Sequence, residues 1–144
     1  AEYDEFPSTL AGQPIDLSTL TMRRTPEITG FVGGEYEIPT AIGDFMLAAS
    51  YRYIDEYQTT ISRALGGPPF RNDPRGLTDA QNIVDASISY TREFADDRSF
   101  TFQVYGRNLL DDTGLSSALP VAGLFTFGSP RQPRTYGVEL AMEF

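Results

Sequence analysis

Apolar and polar side chains alternate along much of this chain, and this alternation limits the folds that the chain can adopt. The alternation is clearest from Arg134 to Phe144, at the C-terminus. Successive side chains of a β-strand point to opposite faces of a sheet, so the pattern predicts a strand with one apolar and one polar face. The apolar positions of this strand are Tyr136, Val138, Leu140, Met142 and Phe144.

The same period recurs in four earlier segments, which begin near Ile28, Phe45, Val84 and Phe100. Little of the chain repeats at the 3.6-residue period of a helix. The sequence therefore predicts an all-β fold, an antiparallel meander of about five strands. Short turns at 39–43 and 95–99 are expected to join the first strand to the second and the third to the fourth.

The remaining connections are long. Segments 61–82 and 111–133 are rich in Gly, Pro, Asn and Asp, and residues 1–24 are interpreted as a further loop region that carries a strand end. Antiparallel strands with short turns at one end and long loops at the other are typical of transmembrane β-barrels of the outer membrane. Aromatic residues near the strand ends, on the apolar faces, fit the two membrane–water interfaces.

Composition excludes several other classes of protein. The chain has no Cys and no His, which removes thiolate and imidazole metal ligands as well as Ser–His–Asp and Cys–His catalysis. A net charge of −9 disfavours binding to nucleic acid. No apolar run reaches the length of a membrane-spanning helix. We therefore predict a protein that is not an enzyme and that uses no metal, no cofactor and no nucleic-acid partner.

Strand number adds a constraint of its own. A closed single-chain barrel needs about eight strands, and a bilayer does not tolerate unpaired strand edges. The chain is thus expected to be the last portion of a larger barrel, or one of several copies that close a barrel together. Because the first residues lack the pattern of a secretion signal, the first alternative is favoured. Taken by itself, the segment should form an open, curved sheet whose first and last strands are edges.

Two segments of the last third resemble the TonB-dependent outer-membrane receptors. The penultimate strand of that family runs into a Gly-x-Asn-Leu-x-Asp element, and its final strand begins with a Pro-Arg-x-Tyr/Phe-Gly-like stretch and ends in Phe. The matching residues of this chain are Gly106, Asn108, Leu109 and Asp111 in the first element, and Arg134, Tyr136, Gly137 and Phe144 in the second.

The resemblance implies the C-terminal part of a 22-stranded barrel, here residues 25–144, in the outer membrane of a Gram-negative cell. It implies a transport receptor for active uptake of a ligand such as an iron–siderophore. Outer-membrane lipid, the barrel-assembly machinery, the missing N-terminal plug and barrel strands, and the TonB complex acting through that plug are the implied partners. The C-terminus is then periplasmic, and the long loops are extracellular.

Two groups of loop side chains are candidates for contact with that ligand. Arg63, Arg71 and Arg75 offer forked donors to an anionic group, unless they form only local ion pairs on a solvated loop. Phe125 and Phe127 belong to an apolar patch at 121–127 that suits a hydrophobic ligand, unless it extends a strand or packs against a neighbouring loop.

The last strand is a candidate for recognition by another protein during assembly of the barrel. Its apolar residues Tyr136, Val138, Leu140, Met142 and Phe144 resemble the signal that the barrel-assembly machinery reads when it adds a terminal strand to its own sheet edge. An ordinary terminal strand with an aromatic end is the alternative.

Two other protein classes stay open at this point. One is a subunit of an oligomeric outer-membrane barrel anchor, although residues 1–24 contain no heptads of a coiled-coil passenger. The other is a soluble β-sandwich or lipid-binding barrel, in which the apolar face is the core. In that class Ile88, Phe102, Val138 and Leu140 would be buried in a compact interior.

Overall fold

A computed structural model describes residues 3–94, 98–121 and 124–144. The described residues form strands and one 3₁₀ turn, Pro74–Gly76, and none of their helices is long and apolar enough to cross a lipid bilayer. The fold is therefore all-β, as predicted. The strands are β1 (Pro7–Leu10), β2 (Gln13–Asp16), β3 (Thr29–Thr40), β4 (Gly43–Ile54), β5 (Tyr57–Gln58), β6 (Leu77–Thr78), β7 (Gln81–Glu93), β8 (Ser99–Arg107), β9 (Leu115–Pro120), β10 (Thr126–Pro130) and β11 (Thr135–Glu143).

The chain forms two compact units, each assembled from segments that are separated in the sequence. The loop unit comprises residues 1–29, 54–80 and 113–131. The sheet unit comprises residues 30–53, 81–112 and 132–144.

The sheet unit contains a five-stranded antiparallel sheet in the order β11-β8-β7-β4-β3. These are the five strands that the alternation predicts, and β3 and β11 are the edges of an open sheet, as expected. The first predicted turn is shorter than 39–43, because β3 continues through Pro39 and only residues 41–42 separate it from β4. Proline is tolerated there because an edge strand has one side without a partner. The turn predicted at 95–99 includes residues 95–97, which lie outside the described residues.

Strand register places apolar side chains beside apolar ones and polar beside polar. On one face, apolar side chains of β7, β8 and β11 form continuous rows across the three strands. On the other face, polar side chains form the corresponding rows, and the hydroxyls of Thr91 and Thr101 lie 3.0 Å apart. The rows of the apolar face are Ile88–Val104–Val138 and Tyr90–Phe102–Leu140, and a row of the polar face is Ser89–Gln103–Glu139.

Two glycines of the sheet accommodate large neighbours. The Tyr105 ring lies over Gly137, its direct partner on β11, so closely that a Cβ at position 137 would overlap the ring. A Cβ at Gly106 would lie 2.5 Å from a methyl carbon of Leu109. Glycine at these positions therefore provides room for a side chain rather than flexibility.

The loop unit contains short hairpins where long loops were expected. Strands β1 and β2 are joined by Ala11 and Gly12, both at positive φ, which is the geometry of a tight two-residue hairpin turn. Strands β5 and β6 form a second pair, and β9 and β10 form a third. Strands of two to six residues show too little alternation to stand out from the turn-forming residues around them.

Polar groups contribute much of the interior of the loop unit. Among the described residues of this unit, the apolar side chains of Leu20, Phe70 and Ala118 are buried, and so is Thr59. The Thr59 hydroxyl lies 2.9 Å from the carbonyl oxygen of Gly76 and 2.5 Å from that of Ala118, and it accepts a hydrogen bond of 3.2 Å from the Ala118 N–H. One hydroxyl thus connects the chain around β5 to the β9–β10 hairpin.

Candidate functional site

The apolar face of the sheet is exposed. The side chains of Val138 and Leu140 are 63% and 65% exposed, and Ile88 and Phe102 also lie in the exposed class. A soluble sandwich would bury these positions, whereas the described residues provide no second layer over them. The apolar face therefore needs an apolar medium or a partner, because an exposed patch of this extent is rare on a soluble monomer.

The five residues predicted as the assembly signal lie on this face of β11, which is an edge strand. All five side chains are exposed, and Phe144 follows the strand directly. The geometry needed for recognition of an unpaired strand edge with alternating apolar side chains is therefore present.

The opposite face of the sheet is concave and polar. A shallow cavity of about 600 Å³ lies on this face. Three carboxylates, one guanidinium, one amide and several hydroxyls line it together with Phe31 and small residues, so water or a polar partner suits most of it. The ionic and amide groups at the cavity are Glu35, Asp85, Gln103, Arg107 and Glu139.

The Gly-x-Asn-Leu-x-Asp element forms a turn at the end of β8, with Asn108 as its centre. Asn108 is buried at φ 50°, and its amide nitrogen donates to the carbonyl oxygens of Asp112 and Gln132, each at 3.0 Å. Its side-chain oxygen accepts from the Asp112 N–H at 2.9 Å, and its own N–H donates to Asp85 at 2.8 Å. The side chain therefore joins the turn after β8 to Gln132 in the segment that precedes β11, and the backbone N–H joins the same turn to β7.

The second element of the family resemblance, which begins at Arg134, contacts this turn. The Arg134 guanidinium lies 3.4 Å from a carboxylate oxygen of Asp111, and the Arg134 N–H donates to the other oxygen at 3.3 Å. The ion pair is exposed and contributes little by itself. The two elements on which the family resemblance rests are therefore neighbours in space, and their contacts are structural.

Two of the three candidate arginines are held by their own loop. Arg75 forms a bidentate ion pair with the buried Asp73, at 3.0 Å from Nε and 2.6 Å from Nη2. The hydrogen bonds from Arg75 lower the pKa of Asp73, against the opposing effect of burial, and the same bonds raise the pKa of Arg75. Arg63 lies 5.4 Å from the centre of the Phe70 ring and donates to the Gly66 carbonyl oxygen. Arg71 is exposed.

The candidate phenylalanines lie on the β9–β10 hairpin and are exposed. Their rings meet edge to face with centroids 5.0 Å apart. Phe127 pairs across the hairpin with Leu119, and these side chains are 61% and 52% exposed. Residues 122–123 of the predicted patch lie outside the described residues. Leu119 is not among the ligand-contact candidates of the sequence, because the segment Leu115–Pro120 does not alternate apolar and polar side chains.

Among the described residues, no group of three or more acidic side chains is placed to hold a metal ion. Comparison of the chain with protein-family models, with curated proteins and with solved structures gives no match.

Proposed function

We propose that this chain is the C-terminal barrel segment of a TonB-dependent outer-membrane receptor, which takes up a ligand such as an iron–siderophore by active transport and is not an enzyme. The single observation that carries the proposal is the exposed apolar face of an open antiparallel sheet whose opposite face is polar and concave. Lipid contacts the first face, and the second faces the barrel lumen, where the plug domain lies.

The sheet edges support the same proposal. In hydrocarbon, each unpaired backbone N–H or carbonyl group costs several kcal/mol, so strands persist there only in a closed barrel. Strands β3 and β11 are the two edges at which the other strands of such a barrel would continue and close. The Asn108 turn then lies at the end of β8 that is extracellular if Phe144 is periplasmic.

The transport function is tested in the bacterium that produces the protein. Deletion of the complete gene is expected to abolish uptake of ⁵⁵Fe supplied as one member of a panel of hydroxamate, catecholate and citrate complexes. The same loss is expected on deletion of TonB, and the complete gene supplied in trans should restore uptake. Normal uptake of every complex in the deletion strain would contradict the role in iron transport.

The assembly role of β11 is tested by removing Phe144 from the complete receptor. Deletion of this one residue is expected to lower the outer-membrane level severalfold, because the apolar end of the recognised strand is lost. Glu143→Gln is the matched control, since it changes the polar face of the same strand end. Unchanged surface level and unchanged heat-modifiable mobility of the Phe144 deletion would contradict the role.

A further inference from the structure

We infer that two Tyr-Gly dipeptides set the register in which the terminal strand β11 pairs with β8, and that closure of the proposed barrel depends on this register. One dipeptide is Tyr105 with Gly106 in β8, and the other is Tyr136 with Gly137 in β11. Each includes residues of the elements that resemble the receptor family. The part of the inference that concerns closure rests on the proposed function, whereas the part that concerns register does not.

The two dipeptides pair reciprocally across the antiparallel strands. Tyr105 is the direct partner of Gly137, and Tyr136 is the direct partner of Gly106. On the polar face, the Tyr105 ring occupies the space that a Cβ at position 137 would need. On the apolar face, a Cβ at position 106 would lie 3.2 Å from the Tyr136 ring, closer than ordinary van der Waals contact. The Arg107 guanidinium, 5.1 Å from the centre of the Tyr105 ring, holds that ring from its own strand.

The alternation of apolar and polar side chains does not fix this register by itself. A slip by one residue would turn the apolar side chains of β11 to the polar face, so the alternation excludes it. A slip by two residues keeps every side chain on its own face. Val138, which pairs with Val104, would then meet Phe102 in one direction of slip, and apolar side chains would still face apolar ones. Another feature must therefore select among the registers that remain.

The glycines discriminate between those registers. Among the polar-face residues of β11 only Gly137 lacks a Cβ, and among the apolar-face residues of β8 only Gly106 does. A slip by two residues would place the Tyr105 ring over Thr135 or Glu139, whose Cβ atoms would occupy the space of the ring. Aromatic side chains that cover a glycine of the neighbouring strand are a general means of fixing strand register. Here two such contacts, one on each face, favour the same register.

The register of β11 matters because a barrel closes only at a defined stagger of its strands. For a given number of strands, the tilt of the strands and the stagger of their hydrogen bonds are linked. Strand β11 is an edge of the open sheet, and in the proposed barrel its free edge pairs with a strand outside residues 1–144. A slip by two residues moves that edge by about 7 Å along the strand, so its donors and acceptors would meet the wrong residues.

Cysteine cross-linking in the complete receptor tests the register, after replacement of any cysteine outside this segment. Thr101→Cys is combined in turn with Ala141→Cys, Glu139→Cys or Glu143→Cys, and isolated outer membranes are oxidised with copper phenanthroline. The native register pairs position 101 with 141, whereas a slip by two residues pairs it with 139 or 143. Diagonal neighbours lie about 7–8 Å apart, beyond the reach of a disulfide, so each cross-link reports one register. With both dipeptides intact, only the 101–141 cross-link is expected.

Removal of the rings is expected to permit the slipped registers. Tyr105→Ala combined with Tyr136→Ala should raise the sum of the 101–139 and 101–143 cross-links at least about tenfold, and each single variant should give a smaller rise. Tyr105→Phe keeps the ring and should give none. Phe102→Ala is the matched control, because it removes a ring from the same strand whose partner, Leu140, has a Cβ. It should leave 101–141 as the main cross-link.

An exchange of partners distinguishes selection of the register from a general loss of stability. Tyr105→Gly combined with Gly137→Tyr moves the ring to β11 and the glycine to β8, on the same face of the sheet. Each change alone is expected to lower the level of heat-modifiable receptor in the outer membrane severalfold. The exchanged variant should recover most of that level together with the 101–141 cross-link. It therefore also decides the case in which the single variants do not assemble.

Three results would overturn the inference. A 101–141 cross-link that stays exclusive after removal of both rings would mean that other contacts select the register. An exchanged variant that assembles no better than Gly137→Tyr alone would mean that the ring and the glycine do not act as a pair. Slipped cross-links with an unchanged outer-membrane level would refute the dependence of closure on the register. None of these results bears on transport, which the uptake of ⁵⁵Fe by the unaltered receptor tests separately.

Discussion

In the sheet unit large apolar side chains lie on the outside, and in the loop unit polar side chains lie on the inside. The sheet exposes Val138 and Leu140, whereas the loop unit buries Thr59, Asp73 and Arg131. Both arrangements reverse the usual distribution in a soluble domain. The comparison teaches that burial must be judged against the medium of each unit. Hydrocarbon can cover the sheet, and in the loop unit hydrogen bonds satisfy buried groups such as Thr59 and Asp73, although Gln58 Oε1 and Thr126 Oγ1 have no hydrogen-bond partner among the described residues.

The polar interior of the loop unit is stabilised by partners rather than by apolar area. Buried Arg131 donates from its guanidinium to the carbonyl oxygens of Asp79 and Ala80. Buried Asp73 accepts from the Arg75 backbone N–H and from its guanidinium. A buried polar group without such partners costs about 1–3 kcal/mol, so single substitutions should act strongly there. In the sheet unit, a comparable loss of stability on a single substitution is expected only at side chains that join one strand to another.

The largest effect is expected for Asn108→Ala, at the end of the sheet. The free energy of unfolding of this variant should fall by about 3 kcal/mol, because buried hydrogen bonds are lost and Ala is strained at positive φ. Asn108→Gly should recover about 1 kcal/mol of this, since glycine removes the strain alone. Asn82→Ala, whose side chain makes an exposed hydrogen bond with Tyr51, is the control. Urea unfolding of the full chain in detergent measures all three, and equal losses for Asn108→Ala and Asn82→Ala would contradict the central role of Asn108.

A smaller effect, confined to the loop unit, is expected for Thr59→Val. The substitution keeps the shape but leaves the Ala118 N–H without its acceptor, at a cost of about 2 kcal/mol. Amide hydrogen exchange should accelerate at Ala118 while the amides of β8 keep their rates. Thr9→Val, at an exposed position of β1, is the matched control and should change neither. Acceleration of β8 to the same extent would mean that the two units unfold as one, which breaks the distinction between them.

The smallest effect is expected on the stability of the loop unit at low pH. The pKa of Asp73 lies below its ordinary value of 3.8 because Arg75 donates to its carboxylate. The stabilisation is therefore fully present above pH 3.8 and is lost as the pH falls through 3.8 toward the lowered pKa. Hydrogen exchange of the loop unit, followed from about one unit above to about one unit below the ordinary pKa and corrected for the intrinsic rate, should show this loss. Asp73→Asn should reduce it, and Arg75→Gln should do the same, while an unchanged profile in both would contradict the assignment. Asp16, whose pKa is lowered chiefly by the Ser18 hydroxyl, contributes in the same direction.

The two units also differ in how far the sequence predicts them. The five long strands carry enough alternating positions for the period to be recognised, and their order follows from antiparallel neighbours along the chain. The loop unit depends on pairings such as Arg131 with Asp79 and Thr59 with Ala118, which join distant segments through backbone carbonyl groups. Such contacts have no sequence periodicity, so short strands and their packing could not be predicted.

The sequence indicates which residue types could contact a ligand, but it does not indicate which of those side chains are exposed. Arginines and phenylalanines in the long loops are recognisable in the sequence as possible ligand contacts. Only the structure distinguishes Arg75, which is paired with Asp73, from Phe127, which is exposed beside Leu119. The five apolar residues of β11 did follow from the alternation, because orientation along a single strand is a local property.

The central claim is that the apolar face of the sheet contacts hydrocarbon and the polar face contacts water. Because residues 1–144 contain no cysteine, single cysteines at 138 to 143 can carry spin labels one at a time in the complete receptor, reconstituted in lipid vesicles after replacement of any cysteine outside this segment. Power saturation should give high collision rates with oxygen at 138, 140 and 142, and high rates with a water-soluble nickel complex at 139, 141 and 143. Labels at 138 and 140 that collide with neither reagent, beside a label at 139 that collides with nickel, would place the apolar side chains in a protein core and contradict the account.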